Sequence, residues 1–189
     1  MTLNQNQPAQ GKLLLSEPYI MDPRFERSVV LLAEHDPSEG TTGFVLNHIT
    51  EVNLSQVIKQ ELGQDFPIFM GGPVEQNALF FIHNAYDKLQ SGHTITDSIF
   101  WGGDFDRLIL LIQEGLIKPE EVKFFAGYSG WEPGQLEAEL TENSWVVSKN
   151  TYPEVCFLQD GEDLWKRALI EMGPKYAHVA NFPKYPHLN

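Results

Sequence analysis

The residues best placed to do chemistry in this sequence lie in Gly127-Tyr128-Ser129-Gly130-Trp131, where a serine stands between glycines at an expected strand-to-helix junction. A hydrolase holds its nucleophile on such a turn, and Asp160 and His178 follow in the order a triad needs. The pattern does not close, because an elbow calls for glycine two positions after the serine and Trp131 occupies that place. Ser129 is therefore expected to be a turn hydroxyl, with a Ser129 hydrolase as the alternative function.

The six histidines, His35, His48, His83, His93, His178 and His187, match neither a two-histidine helical zinc motif nor a Cys/His finger. Glu34 and His35 end one expected strand and His48 ends its partner, so these three could meet as a divalent-metal site. Solvated or capping side chains at strand ends are the leading expectation, with no resident metal or other cofactor. Gly71-Gly72-Pro73 and Gly102-Gly103 could aim amides at an anion, yet no Lys-Ser/Thr follows either pair. They are expected to be turns, with Gly72 kept as a binding element. Arg27, among Phe25, Val29 and Val30, needs a carboxylate such as Asp22 or Glu26, or else a ligand anion, and an internal ion pair is expected. Of the four tryptophans, Trp131 is the one expected to reach a cleft.

The elements that must position these groups follow from periodicity. Leu13–Leu15, Ser28–Ala33 and Gly43–Asn47 read as strands, the last two as an antiparallel pair across the Asp36–Gly40 turn. Asn53, with Gln56 three residues on, starts a helix whose face carries Leu54, Val57, Ile58 and Leu62 and which ends at Gly63. Strands are expected at Ile68–Met70, Ala78–His83, Ile95–Trp101, Val122–Tyr128 and Trp145–Val147. Helices are expected from Asp104, from Pro133 and over Glu162–Met172. Strands in adjacent runs favour an α+β class over a doubly wound parallel sheet. Residues 1–11 read as a disordered leader and 12–189 as one domain, with an irregular tail from about residue 174.

Composition sets the outer limits. With 42% hydrophobic residues among 189, the chain can bury a substantial core. Thirteen Lys and Arg against 26 Asp and Glu give a formal charge of -13, which repels phosphate backbones, and the positive residues are scattered. Direct nucleic-acid binding is therefore not expected. The single cysteine, Cys156, can form no internal disulfide and lies in the apolar stretch Val155–Leu158, where it should pack as a small hydrophobe. Met1–Gln10 has neither a basic region nor an apolar core, and no run is long enough to span a bilayer, so a cytoplasmic location and no membrane contact are expected.

Several segments together carry a resemblance. They are Asp22-Pro23-Arg24-Phe25-Glu26-Arg27-Ser28-Val29-Val30, Glu34-His35, Gly43-Phe44-Val45-Leu46-Asn47, Gly71-Gly72-Pro73-Val74, Gly127–Trp131 with Gly134-Gln135-Leu136-Glu137, and Asn143-Ser144-Trp145. From about Lys12 to Gly173 the chain resembles the bacterial YqgE/AlgH family. The resemblance implies an α+β fold of coiled, bifurcated antiparallel sheets with packed helices, and it implies little biochemistry. The family's frequent label is transcriptional regulator, for which no recognition helix with exposed Arg or Lys is visible here. Ala33 stands where many members carry Cys, which weakens a redox role, and Ser129-Gly130 stands where relatives often have Ala-Ser or Ala-Gly. The leading expectation is a non-enzymatic binding or regulatory domain for a small molecule or protein partner. Its site is expected to gather Arg27, His35, Asn47, Gly71, Gly72, Trp131 and Gln135 in one cleft.

Overall fold

Three short, strongly apolar runs determine the first half of the molecule. In the computed structural model, which describes residues 6–150, 152–159 and 161–183, they become strands β1 (Leu13–Ser16), β2 (Val29–Asp36) and β3 (Gly40–Val45). β2 and β3 form the expected antiparallel pair, with Val30 opposite Val45 and Leu31 opposite Phe44. Their side chains alternate between two buried faces, which is why Leu13–Leu15, Val29–Ala33 and Phe44–Leu46 are apolar throughout. Leu13, Leu15, Val29, Leu31 and Phe44 pack on one side, and Leu14, Val30, Leu32 and Val45 on the other.

Next come β4 (Ile49–Asn53), helix α1 (Leu54–Ile58), β5 (Pro67–Met70), β6 (Val74–His83) and helix α2 (Tyr86–Leu89). α1 is shorter than its apolar face suggested. The Gln56 side chain accepts from the Asn53 N–H at 2.8 Å, but Lys59 turns left-handed at φ 56° and stops the helix after five residues. The stretch expected to form one strand at Ile95–Trp101 instead makes two two-residue strands, β7 (His93–Thr94) and β8 (Phe100–Trp101). Helix α3 (Phe105–Gln113) follows, with the Asp104 carboxylate accepting from the Arg107 N–H at 3.0 Å as its N-cap. α1, α2 and α3 cover an apolar layer that includes Leu54, Leu89, Leu108, Ile112 and Phe124.

The ten residues of β9 (Val122–Trp131) organise the sheet. One edge pairs antiparallel with β6 along much of its length. The other edge changes partner: Phe124–Ala126 pair with β5, and Ser129–Trp131 pair with β3. The sheet forks there, and β5 is the one strand running parallel to β9. Gly71 sits in the crotch, its N–H donating to the Ala126 carbonyl at 3.0 Å and its carbonyl accepting from the Val45 N–H at 2.9 Å. The order is β10-β1-β2-β3-β9-β6-β8-β7, with β4 and β5 on the branch and β10 (Trp145–Val147) at the far end.

Helix α4 (Gln135–Thr141) starts two residues after Pro133, and α5 (Pro153–Cys156), α6 (Gly161–Glu171) and α7 (Pro174–Ala177) pack over the β1–β2–β3 face. Residues 174–181, expected to be irregular, are α7 followed by a 3-10 turn that buries Ala180. Of the expected leader, residues 1–5 lie outside the described residues. Residues 6–11 are tied down, with Asn6 donating to the Val147 carbonyl, Gln10 to the carbonyls of Thr94 and Ile95, and the Gly11 N–H to the Leu32 carbonyl. No described helix is long and apolar enough to cross a membrane.

Candidate functional site

The turn from β2 to β3 rises beside the end of β9, and the gap between them is an open recess of about 660 Å3. β2 contributes Glu34, His35 and Asp36, the turn Glu39, the end of β9 Tyr128, Gly130 and Trp131, and the residue after it Glu132. Four lining residues are carboxylates and none is Lys or Arg. Asp36 accepts from the Ser38 hydroxyl at 2.6 Å and from the N–H groups of Ser38 and Glu39, and these bonds, the hydroxyl first, hold its carboxyl below the usual range. The His35 side chain is almost fully buried: Nδ1 lies 2.8 Å from the Thr41 hydroxyl and Nε2 lies 3.7 Å from a Glu137 oxygen.

Trp131 separates this recess from a second of about 260 Å3 lined by Phe25, Gln135, Glu139 and Trp145, with Met21 at its rim. Glu139 is the organiser here. One of its oxygens accepts from the indole N–H groups of Trp131 at 2.9 Å and Trp145 at 2.7 Å, and the other from the Gln135 amide at 2.8 Å. Phe25 stacks on Trp131 and meets Trp145 edge-on. A third recess, lined by His48, Gly72 and Gln76, adjoins the second through Arg24 and Pro73. The three form one furrow: acidic at one end, aromatic in the middle.

The seven residues expected to share a cleft are therefore distributed. His35 and Trp131 line the first recess, Trp131 and Gln135 the second, and Gly72 the third. Gly71 is committed to the fork of the sheet, where an added Cβ would lie 2.3 Å from the Gly127 carbonyl oxygen. The glycine pair thus serves close strand approach instead of the expected turn. Asn47 and Arg27 belong together elsewhere: the Asn47 side chain accepts from the Val29 N–H and donates to the Arg27 carbonyl, both at 2.8 Å. Arg27 also departs from its expectation, because Asp22 is paired with Arg24 and no described carboxylate reaches Arg27.

Ser129 lies within β9 and not in a turn. It is fully buried, and its hydroxyl donates to the Gly71 carbonyl at 3.0 Å. Asp160 lies outside the described residues. His48 Nε2 faces the Ser28 hydroxyl and the Glu26 carbonyl while His35 faces Thr41, and among the described residues no three His, Cys, Asp or Glu side chains gather as metal ligands.

Two buried groups escaped the reading of the sequence. The Lys123 ammonium, from the middle of β9, donates to the carbonyls of Leu46 at 2.9 Å and Leu158 at 2.5 Å and lies 4.2 Å from the Phe69 ring centre. Burial pushes its pKa down to about 7, and burial pushes the Cys156 thiol up to about 12. The signal was available in Val122-Lys123-Phe124-Phe125, a charge inside an otherwise apolar strand. His83 is fully buried beside Phe81 and Phe100, with no hydrogen bond of ordinary geometry at either ring nitrogen. Burial lowers its pKa, and the nearby carbonyls of Gly102 and Ser91 offset this only in part.

A family model described as AlgH-like matches residues 13–177, nearly the whole described chain. This chain belongs to the AlgH-like family. Its relatives include a UPF0301 protein of Cytophaga hutchinsonii, 43% identical over 182 residues that cover 95% of this chain and 98% of the relative. A UPF0301 protein of Parabacteroides distasonis is 41% identical over 191 residues, covering all of this chain and 96% of the relative. Among solved structures, the AlgH protein of Pseudomonas aeruginosa superposes with a TM-score of 0.72 at 27% identity, over 96% of this chain and 98% of that one. A Corynebacterium diphtheriae protein superposes with a TM-score of 0.74 at 22% identity, over 95% of each chain, and shares the fold. The family resemblance of the motif segments and the α+β, forked antiparallel architecture are thus established.

Proposed function

We propose that this AlgH-like chain is a binding domain without catalytic chemistry of its own, and that the furrow beside Trp131 receives an organic cation: an amine or guanidinium group on a small molecule or on a partner's side chain. The observation that carries this reading is the first recess, which Glu34, Asp36, Glu39 and Glu132 line together with Tyr128 and Trp131, with no Lys or Arg among the lining residues. Carboxylates attract a cation, and the half-buried Tyr128 adds an aromatic surface beside them, a combination suited to amine recognition. Ser129, whose hydroxyl is spent on a backbone carbonyl, supports a binding role over a hydrolytic one. The same acidity disfavours direct contact with DNA, so any influence on transcription would pass through a bound ligand or partner.

Titration of the full chain with spermidine, arginine amide and a lysine-rich peptide, followed by tryptophan emission and backbone amide shifts, tests this. Saturable binding that perturbs residues 34–42 and 128–132 and is lost in a Glu34→Gln/Glu132→Gln double variant is the expected result. Absence of saturable binding by every cation, or binding indifferent to the double variant, refutes the assignment.

A further inference from the structure

Arg27 lines none of the three recesses of the furrow and is held by a different part of the chain. Its backbone is left-handed, at φ 50°, a conformation that is costly for a non-glycine residue, and the Asn47 amide fixes it by donating to the Arg27 carbonyl. The guanidinium lies 5.1 Å from the ring centre of Trp165, whose own N–H is anchored on the Ser16 carbonyl at 2.9 Å. The cation is thus rigidly placed, yet no described carboxylate neutralises it in a chain with twice as many acidic as basic residues.

Its hydrogen bonding is half complete. Nη2 donates to the Phe182 carbonyl at 2.7 Å, while Nε is buried with no partner. Nε and Nη2 form one edge of the guanidinium fork. Arg24, three residues earlier, grips the Asp22 carboxylate by the same two nitrogens, with Nε at 2.9 Å and Nη2 at 2.6 Å. One neutral carbonyl on that edge is a poor substitute for two oxyanion oxygens.

The segment supplying the carbonyl is held at the surface, with the Phe182 N–H donating to the Val179 carbonyl at 3.1 Å and its ring meeting His178 edge-on. Phe182 is 39% exposed and stacks on Tyr19, itself 41% exposed, whose hydroxyl donates to the Pro183 carbonyl at 3.2 Å. The turn before it keeps Ala180 buried, so the core contacts of the segment end before Phe182.

We propose that Arg27 is an oxyanion-binding residue closed over by the C-terminal segment, with the Phe182 carbonyl standing where one oxygen of a carboxylate or phosphate ligand binds. Entry of the oxyanion gives Nε its missing acceptor and displaces Phe182, so that binding at Arg27 and release of the segment are one event. The role needs no cation at the furrow and stands or falls separately from it.

The test uses the full chain. The Arg27 Nε–H and the backbone amides of Ser28 and Phe182 are followed by NMR during titration with sodium phosphate and, separately, sodium acetate, with chloride holding ionic strength constant. A saturable shift with phosphate alone assigns a phosphoryl ligand, with acetate alone a carboxylate, and with both an unselective oxyanion site. Arg27→Lys keeps the charge but loses the fork and should weaken binding about tenfold, the effect of one hydrogen bond. Tyr19→Ala loosens the segment and should tighten binding several-fold, an effect that a purely structural Arg27 would not produce. The proposal is overturned if neither anion gives a saturable shift in wild type and in Tyr19→Ala, or if Arg27→Lys binds as well as wild type. It is equally overturned if Tyr19→Ala binds no more tightly.

Discussion

Three buried side chains set how this protein responds to pH. His83 folds neutral, with its pKa depressed by burial, so its contribution is present above its unfolded pKa and is lost as pH falls below about 6.5. Thermal melts should show stability falling from pH 7 to pH 5 more steeply in wild type than in His83→Leu. Lys123 has a depressed pKa of about 7 against 10.5 unfolded, so stability increases as pH rises from 7 toward 10.5. Cys156 works the other way, raised from 9.0 to about 12, and its contribution is lost only as pH climbs through that range. Between pH 7 and 9 Lys123 therefore dominates this pair. Denaturant unfolding should show a gain of up to about 1.4 kcal/mol per pH unit that is absent in Lys123→Met. At Glu139 one carboxylate serves two nearly buried indoles, so Glu139→Ala strands donors and should cost roughly 2–4 kcal/mol by the same measurement.

The fork of the sheet depends on glycine at the element scale. Gly72 has φ 155°, and a Cβ there would lie 2.3 Å from Tyr128 backbone atoms and 2.4 Å from the Ser129 nitrogen, where neither strand has freedom to move. Gly72→Ala should cost at least about 3 kcal/mol or prevent folding, read by chemical denaturation, whereas Gly63→Ala meets no atom within 4 Å and pays only for its positive φ. The elements themselves were largely legible because their signals are local: the apolar, partly β-branched run Val29–Ala33, the Asn53 and Asp104 caps, the apolar run at 122–128. What was not legible depends on pairing between distant segments. Gly71-Gly72 looks like a turn in one dimension, and only the change of β9's partner shows why it must lack side chains. Arg27 and Asn47 are brought together by the Asn47 amide while Gln135 lines the second recess, so membership of the motif segments did not become one cleft. Lys123 shows in the sequence only as a charge inside an apolar strand, and its partners, the Leu46 and Leu158 carbonyls, leave no side-chain pattern.

For the whole molecule, the charge of -13 has a location as well as a sum. Carboxylates of β2, the following turn and the end of β9 converge on the furrow, while Arg24 is neutralised by Asp22 and Arg27 lies under the C-terminal segment. Long-range attraction of a cation should therefore be strong in dilute buffer and screened in salt. Raising ionic strength from about 0.01 M to about 0.15 M shortens the screening length from roughly 30 Å to 8 Å, and isothermal titration should show cation affinity falling several-fold. An unchanged affinity would mean that ring contacts carry recognition and the carboxylates do not.

Because β9 is bonded to β6 on one flank and to β5 and then β3 on the other, the rim at Tyr128–Trp131 continues directly into the most enclosed backbone of the protein. Amide protons along Phe124–Ala126 point alternately to β6 and to β5, so each meets solvent deuterium only when β9 parts from a strand paired to it, and exchange there should be among the slowest in the chain. The β9 side of the recess is thus a wall without a hinge, against which a guest beside Trp131 would have to fit as it comes.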